Sequence, residues 1–204
     1  VDAVSGVEVG TELTWRHADE RKLPRMVVIN RMDRENADFD KALGSIREVF
    51  GNHAAAAQLP IGEGDKFRGV ADIIHMKAFI WSDASGKNIT ESPIPDELAD
   101  AAQELREKLI EYAAESDEEL LNKYLEGEEL TQEEFERGLA AGVADGSVVP
   151  VFCASGLRMV GVKPLMDSMV ALLPSPVAHG TVVGRKPDSE DQIERRPDEA
   201  EPFS

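Results

Sequence analysis

Met26-Val27-Val28-Ile29-Asn30-Arg31-Met32-Asp33 is the stretch that decides how this chain folds. Its first half is a short apolar run rich in β-branched residues, which is typical of a buried parallel strand. Its second half is polar and carries an amide and a carboxylate on one turn. Because ligands bind at the carboxyl ends of strands in open α/β sheets, the stretch predicts a strand that delivers Asn30 and Asp33 to a binding edge.

The carboxylate of Asp33 is a candidate reader of guanine. A carboxylate can accept a pair of parallel hydrogen bonds, and guanine offers the matching N–H edge whereas adenine does not. The alternative is an Asx-type turn that only ends the strand. Asn and Asp at this spacing also recur by chance, so the tetrapeptide alone leaves both interpretations open.

The composition indicates a globular protein with one or two domains. The chain has 204 residues, of which 42% are hydrophobic, so a substantial core can form. It has no apolar run long enough to cross a membrane and no signal-peptide pattern. Its single cysteine, Cys153, suits a reducing cytoplasm and is expected to pack as a small apolar residue. The histidines show no ligand spacing, so no metal site is predicted.

The charge is strongly negative and unevenly distributed. The net charge is −18, and residues 91–136 contain 17 Asp and Glu but only 3 Lys and Arg. Such a surface repels a nucleic-acid backbone, which argues against binding to DNA, and it suits a basic protein partner. The alternative is a solvated helical face that keeps the protein soluble.

Strand and helix patterns alternate in the first part of the chain. Residues 1–24 are expected to contain a helix, and a second helix is predicted over 37–50, where Phe39, Leu43, Ile46 and Phe50 recur at helical spacing. Gly51 is expected to end that second helix. This alternation predicts an α/β fold with a doubly wound sheet.

The pattern changes over residues 52–147. Short runs broken by Gly and Pro, with a turn signal at Ser85-Gly86, predict a small antiparallel sheet. Helices follow, and two capping boxes, Ser116-x-x-Glu119 and Thr131-x-x-Glu134, are expected to begin two of them. Residues 52–147 therefore read as an α+β module inserted into the α/β domain.

The α/β pattern resumes over residues 148–174. Residues 148–153 form a second buried run, and a helix is predicted from Val162 to Leu173. From Pro174 onward prolines are frequent and large apolar residues are few, so 175–204 is interpreted as a linker into a further domain.

The second buried strand ends in Ala154-Ser155-Gly156-Leu157. Small residues there allow backbone N–H groups to approach a ligand closely, and guanine O6 needs such a donor. An ordinary strand-to-helix turn is the alternative. Two half-sites at two strand ends are nevertheless more specific than either one alone.

These motifs resemble the N-K-x-D and S-A motifs of GTP-binding proteins, and the chain as a whole is similar to bacterial elongation factor G. The similar stretches lie in consistent order along the chain: Asp2-Ala3-Val4-Ser5-Gly6-Val7-Glu8-Val9, Pro24-Arg25-Met26-Val27, Met32-Asp33-Arg34, Ala37-Asp38-Phe39, Gln58-Leu59-Pro60-Ile61-Gly62, Tyr124-Leu125-Glu126-Gly127, Val149-Pro150-Val151-Phe152-Cys153, Gly161-Val162-Lys163-Pro164-Leu165 and Leu173-Pro174-Ser175-Pro176.

The resemblance implies an organisation and a role. Residues 1–51 and 148–174 correspond to the carboxy-terminal half of a P-loop-GTPase-type sheet, and the insert corresponds to the family's G′ subdomain. Glu201-Pro202-Phe203-Ser204 resembles the start of a β-barrel second domain. The parent is then expected to be a longer GTPase that promotes ribosomal translocation. Its acidic helix would contact the ribosomal stalk protein through exposed acids: Asp96, Asp100, Glu104, Glu107 and Glu111.

The resemblance also assigns roles in binding GTP or GDP. Asp33 would accept hydrogen bonds from guanine, and Asn30 would brace the loop. Ser155, Gly156 and Leu157 would form the turn that holds the base and its O6. Arg31 stands where the family has Lys, and Gly156 stands where it has Ala. These departures suggest a paralogue of elongation factor G, because a planar guanidinium does not replace an ammonium.

The phosphate-binding motifs of the family are not in this sequence. It has no G-x-x-x-x-G-K-[ST] loop and no D-x-x-G-H motif. The sequence therefore supplies no phosphate cradle, no hydroxyl for Mg²⁺ and no catalytic His, and Mg²⁺ is expected only in the full-length parent. Two other functions remain open: an acidic interaction module without nucleotide binding, and a ribosome-protection GTPase of the tetracycline-resistance kind.

We expect the isolated 204-residue chain neither to hydrolyse GTP nor to bind it tightly, because base contacts without phosphate contacts lose most of the binding energy. Isothermal titration calorimetry with GTP measures this directly. A dissociation constant in the micromolar range or below would contradict the expectation.

Overall fold

A computed structural model describes residues 1–83, 88–185, 189 and 191–198, so the predicted turn at Ser85-Gly86 and the tetrapeptide 201–204 lie outside the described residues. The chain divides into two compact units, Val1–Leu173 and Pro174–Ser204. The elements in chain order are α1 (Val9–Glu20), β1 (Val27–Ile29), α2 (Phe39–Phe50), β2 (Ala54–Ala56), β3 (Gln58–Ile61), a 3-10 helix (Gly64–Lys66), β4 (Gly69–Asp72), β5 (Lys77–Trp81), β6 (Ile89–Ser92), α3 (Asp96–Glu115), α4 (Glu118–Leu125), α5 (Gln132–Asp145), β7 (Val149–Cys153), α6 (Val162–Leu172), α7 (Pro176–His179), β8 (Val182–Arg185) and β9 (Gln192–Arg195).

A parallel sheet with the order β1-β7-β2 forms the centre of the first unit. Strand β7 pairs in parallel with β1, and Ile29 lies opposite Cys153. All residues of β7 are buried, which is the environment that its continuous apolar run predicts. The predicted α/β class, with helices and a parallel sheet, is confirmed.

The first residues of the chain lie along the free edge of β1. The amino-terminal group of Val1 donates to the carbonyl of Val28 at 2.9 Å. Asn30 N donates to Val1 O at 2.9 Å, and Ala3 N donates to Asn30 O at 3.0 Å. Residues 1–3 therefore extend the sheet by a short parallel segment that ends beside Asn30.

Strand β2 differs from the sequence interpretation. The insert was expected to begin at residue 52, but Ala54–Ala56 pairs in parallel with β7 and belongs to the central sheet. The following Ala57 donates to Val151 O at 2.9 Å, and its own carbonyl accepts from Ile73 N at 3.0 Å. The chain therefore passes directly from the parallel sheet into the next sheet. An alanine run lacks the β-branched residues that mark strands, and it is buried here because small side chains fit beneath the helices.

The second sheet is antiparallel, with the order β3-β4-β5-β6, as the short alternating runs predict. Strand β4 is fully buried and pairs with β3 on one side and β5 on the other. At its end, Asp72 is buried and accepts from Ile74 N at 2.9 Å and from the His75 ring at 2.7 Å. This closes the turn into β5.

Helix α2 shows the predicted amphipathic pattern. Phe39, Leu43 and Ile46 are buried on one face. Its N-cap is Asp38, whose side chain accepts from Lys41 N, and Gly51 ends the helix with a φ of 99°. Helix α2 therefore begins after Asp38 and lies against the central sheet.

One of the two predicted capping boxes forms and the other does not. Thr131 and Glu134 make the reciprocal bonds of a capping box at α5. At α4 the cap is Asp117, whose carboxylate accepts from Glu119 N and Leu120 N. Ser116 instead donates to the carbonyl of Ala113 at 2.7 Å, so it ends α3 rather than beginning α4.

Helix α1 is attached through Trp15, while its apolar residues Val9 and Leu13 are exposed to solvent. Val9 and Leu13 are 71% and 42% exposed, and α1 has no buried residue. Trp15 stacks on Phe50 with ring centroids 3.9 Å apart, and the Arg25 guanidinium lies 4.7 Å from the Trp15 ring. These contacts hold α1 against the end of α2.

The second unit contains more regular structure than the expected linker. Its described residues form the short helix α7 and an antiparallel pair of strands, β8 and β9. Pro176 fits the first turn of α7 because its fixed φ suits a helix start. The β-branched residues of Thr181-Val182-Val183 favour the strand that follows.

Helices α3 and α5 approach closely at Gly138. A methyl group there would collide with the carbonyl oxygen of Ala113 and lie 2.8 Å from Leu120 Cδ1. We therefore expect Gly138→Ala to lower the free energy of unfolding by about 1–3 kcal/mol, measured by urea denaturation.

Gly44→Ala is the matched control, because Gly44 lies in α2 with nothing within 4 Å of the added methyl group. This change should raise stability by about 0.5–1 kcal/mol, since alanine is the better helix former. Equal effects of the two substitutions would show that the helix contact does not restrict residue 138.

Candidate nucleotide-binding site

The two strand ends singled out in the sequence are neighbours in the structure. Strands β1 and β7 lie side by side, so Asn30 and Ser155 emerge from the same edge of the parallel sheet. The Gly156 N–H donates to Asn30 Oδ1 at 3.0 Å, which joins residues 126 apart in the sequence. The arrangement brings the N-x-x-D turn and the small-residue turn together.

The N-x-x-D turn is fixed from both sides. Asn30 Oδ1 also accepts from the Arg31 N–H at 2.8 Å, and Arg31 adopts a left-handed conformation with a φ of 67°. Met32 is completely buried, and its N–H donates to Ala154 O at 3.2 Å. Asn30 therefore braces the turn while Met32 anchors it to the extension of β7.

The Arg31 side chain is held by an acid at the start of the chain. Its Nη1 lies 2.9 Å from Asp2 Oδ2, and Arg34 Nη1 lies 3.5 Å from the same oxygen. Hydrogen bonds from the backbone N–H groups of Val4 and Ser5, together with Arg31, hold the pKa of Asp2 below its usual range. The Arg31 guanidinium is thus oriented by an ion pair, and its side chain is 61% exposed.

Asp33 projects from the same turn with most of its side chain covered. Its side chain is 10% exposed, and its Oδ2 lies 3.8 Å from Arg158 Nε. A carboxylate has about four lone-pair positions, so this contact leaves acceptor capacity for a ligand. The geometry provides an oriented anionic acceptor next to the two joined strand ends.

The second turn is a closed loop over residues 155–160. Ser155 is completely buried, its N–H donates to Val160 O at 2.9 Å, and its Oγ accepts from Arg158 N at 3.1 Å. A methyl group on Gly156 would lie 3.6 Å from Asn30 Oδ1, an ordinary contact, so the turn accepts Gly or Ala equally. Leu157 is 88% exposed, so its side chain extends into solvent at the tip.

The Gly156 N–H, which is expected to bind the base, already has a hydrogen-bond acceptor in the protein. The resemblance assigns this donor to guanine O6, whereas in the structure it is engaged by the Asn30 amide oxygen. A carbonyl of an incoming base would therefore share or replace an existing acceptor. Because one hydrogen bond is lost for the one that forms, the exchange itself adds little net free energy.

Cys153 lies beneath the site and takes no part in it. It is completely buried, and burial raises the pKa of its thiol far above the usual value, so it stays protonated. Its N–H lies 3.4 Å from Gln58 Oε1, which links β7 to β3. It packs as a small apolar residue.

Sequence reasoning missed three residues that shape the site: Asp2, Met32 and Arg158. Asp2 and Arg158 contact the N-x-x-D turn from distant parts of the chain. Only Met32 carried a local signal, because an apolar residue inside a polar turn indicates a buried anchor.

Among the described residues, no helix combines the length and apolarity that crossing a membrane requires. In the same part of the chain, no group of three or more His, Cys, Asp or Glu side chains is arranged to hold a metal ion.

Comparison with known proteins identifies the family. A crystal structure of a protein from Thermus thermophilus superposes with a TM-score of 0.80 at 37% sequence identity, and the match covers 90% of this chain. The chain spans only 27% of the length of that protein. The family model described as the elongation factor Tu GTP binding domain matches residues 1–175. The chain therefore belongs to the elongation factor Tu GTP-binding domain family of translational GTPases.

Proposed function

We propose that this chain forms the guanine-recognition half of the GTP site in a translational GTPase that resembles elongation factor G. The observation that carries the proposal is the hydrogen bond between Gly156 N–H and Asn30 Oδ1, which brings two base-reading turns together at the ends of β1 and β7. Asp33 lies on the same edge, oriented and largely covered.

Each residue has a distinct role in this proposal. Asp33 accepts hydrogen bonds from guanine N1–H and the 2-amino group. Asn30 braces the turn, and its amide group faces the N7 side. Ser155 shapes the second turn. The Leu157 N–H faces O6, and O6 shares the Gly156 N–H with Asn30 Oδ1. Arg31 stacks on the base through its planar guanidinium, oriented by Asp2.

The rest of the GTP site is supplied by segments that this sequence does not contain. The phosphate loop, the Mg²⁺ ligands and the catalytic His belong to such segments, so hydrolysis is a property of the full-length parent. In that cytoplasmic parent, residues 1–51 and 148–174 are the G-domain part and 52–147 is mainly the G′-like insert. Residues 175–204 lead into the second domain. The 27% share of the Thermus thermophilus chain supports a longer parent.

The sharpest test of the base contact is Asp33→Asn in the full-length protein. An amide donor in place of the carboxylate suits the C2 oxygen of xanthine and no longer accepts from guanine. We expect the affinity for GDP to fall about 10–100-fold, and the affinity for xanthosine diphosphate to rise, in fluorescence titrations.

Glu35→Gln is the matched control, because it removes the same charge from an exposed residue of the neighbouring loop. It should leave the preference for guanine unchanged. An Asp33→Asn protein that still prefers GDP to the wild-type degree would refute Asp33 as the reader.

A second function for the same chain is docking to the ribosomal stalk protein through α3. The acids that sequence analysis placed on its outer face are all exposed: Asp96, Asp100, Glu104, Glu107 and Glu111. Of the two basic residues of α3, only Lys108 offsets one of these acids, Glu104. The Arg106 guanidinium lies 3.8 Å from the Phe135 ring and faces inward, and Lys108 pairs with Glu104 at 2.6 Å. The helix therefore presents a negative face that suits a basic partner.

This docking function predicts salt-sensitive capture by purified stalk protein. A triple variant of Asp100→Asn, Glu107→Gln and Glu111→Gln should lose most of the capture at low salt, because it removes three charges of one face. Three substitutions are needed since exposed charge pairs are individually weak, and salt should weaken wild-type capture by screening them.

The matched control neutralises the exposed Glu126, Glu128 and Glu129 to Gln, an equal charge change beyond the end of α4. It should retain capture. Binding that is insensitive to salt, or an equal loss in both triple variants, would rule out a specific role of the α3 face.

A further inference from the structure

We infer that Arg158 is a positioning residue for guanine selectivity, which holds the Asp33 carboxylate and connects it to the inserted module. This inference rests on the proposed function of Asp33. Neither the N-x-x-D motif nor the small-residue turn includes this side chain, and its role follows from where its groups lie in the structure.

Arg158 is fixed at three points. Its backbone N–H donates to Ser155 Oγ at 3.1 Å, so the residue is held to the turn that faces the base. Its Nη1 donates to the carbonyl oxygen of Asp65 at 2.8 Å. Its Nε lies 3.8 Å from Asp33 Oδ2. Arg158 thus lies in the second turn, and its side chain joins that turn to the guanine reader and to the insert.

The contact with Asp65 gives the guanidinium a rigid support. Asp65 lies in the 3-10 helix between β3 and β4, whose bonds Lys66 N to Glu63 O and Phe67 N to Gly64 O measure 2.9 and 3.1 Å. The loop is tight at Gly62, which has a φ of 83°. A side chain there would collide with the Lys66 carbonyl. The Arg158 side chain is only 32% exposed, so its position is restricted.

A guanidinium in this position restricts the rotation of the Asp33 carboxylate. Arginine stays charged, and its planar fork can bind a carbonyl with one nitrogen while another faces a carboxylate. The attraction is directed at Oδ2, which leaves the remaining lone pairs of the carboxylate for the base. A carboxylate held in one orientation can meet both donors of the guanine edge together, without first losing rotational freedom.

Inosine nucleotides distinguish positioning from a structural role. Hypoxanthine has the N1–H of guanine but lacks the 2-amino group, so Asp33 makes one fewer hydrogen bond with it. A misoriented carboxylate loses most where both bonds must form at once. Losing Arg158 should therefore lower the ratio of GDP to IDP affinity, whereas a general loss of structure lowers both affinities by the same factor.

The experiment measures dissociation constants for GDP and IDP with full-length wild-type, Arg158→Ala, Arg158→Lys and Arg137→Ala proteins. We expect Arg158→Ala to reduce the GDP/IDP affinity ratio about twofold to fivefold, the range for a partly exposed ion pair. Arg158→Lys should retain more of the ratio because it keeps the positive charge. Arg137→Ala, which removes an exposed arginine from α5, should match the wild type.

A double variant tests the connection to Asp33 itself. In an Asp33→Asn background the partner charge is gone, so adding Arg158→Ala should leave the GDP/IDP ratio unchanged. An Arg158→Ala ratio equal to the wild type, a ratio that rises, or an equal weakening of both nucleotides would overturn the inference. A wild-type protein that binds GDP and IDP equally would instead refute the proposed role of Asp33, which is a different outcome.

Discussion

The parallel pairing of β7 with both β1 and β2 is the constraint on which the rest of this structure depends. The register of β1 against β7 places Ile29 opposite Cys153, so the polar turns that follow both strands must meet at one edge. The other side of β7 accepts β2, from which the chain passes through Ala57 into the antiparallel sheet. A shift of the register would separate the turns and move each buried side chain of β7 to the opposite packed face.

The polar groups at the edge formed in this way have hydrogen-bond partners within the protein itself. Asn30 Oδ1 accepts hydrogen bonds from the backbone N–H groups of Arg31 and Gly156, and Asp2 accepts one from the Arg31 guanidinium. Asn30, Arg31 and Gly156 are exposed and water could satisfy their polar groups, so the network contributes by keeping the two turns in position. Under the proposed function, the preference for guanine comes from Asp33, whose carboxylate keeps acceptor capacity, rather than from the total number of hydrogen bonds.

Local patterns predicted much of this fold because they report local physics. The buried face of α2 follows from its periodicity, and the apolar runs of β1 and β7 follow from burial on both sides. The errors lie where a pattern is ambiguous or where distant contacts decide. Ser116 and Asp117 can each begin a helix, and only the packing of α3 assigns Ser116 to the preceding one. The place of Arg158 depends on a carbonyl 93 residues away, so no local pattern could indicate it.

The long insertion between the two turns has a thermodynamic consequence. Asn30 and Gly156 are in contact although 126 residues separate them, and the whole excursion leaves and returns along neighbouring strands of one sheet. Loop-closure entropy grows only with the logarithm of loop length, and a doubling adds about 0.6 kcal/mol. Since the sheet fixes both ends of the chain between Asn30 and Gly156, segments far from the sheet can be gained or lost with little effect on the edge where the two turns meet. The sheet therefore holds the two turns together whatever the length of the chain between them.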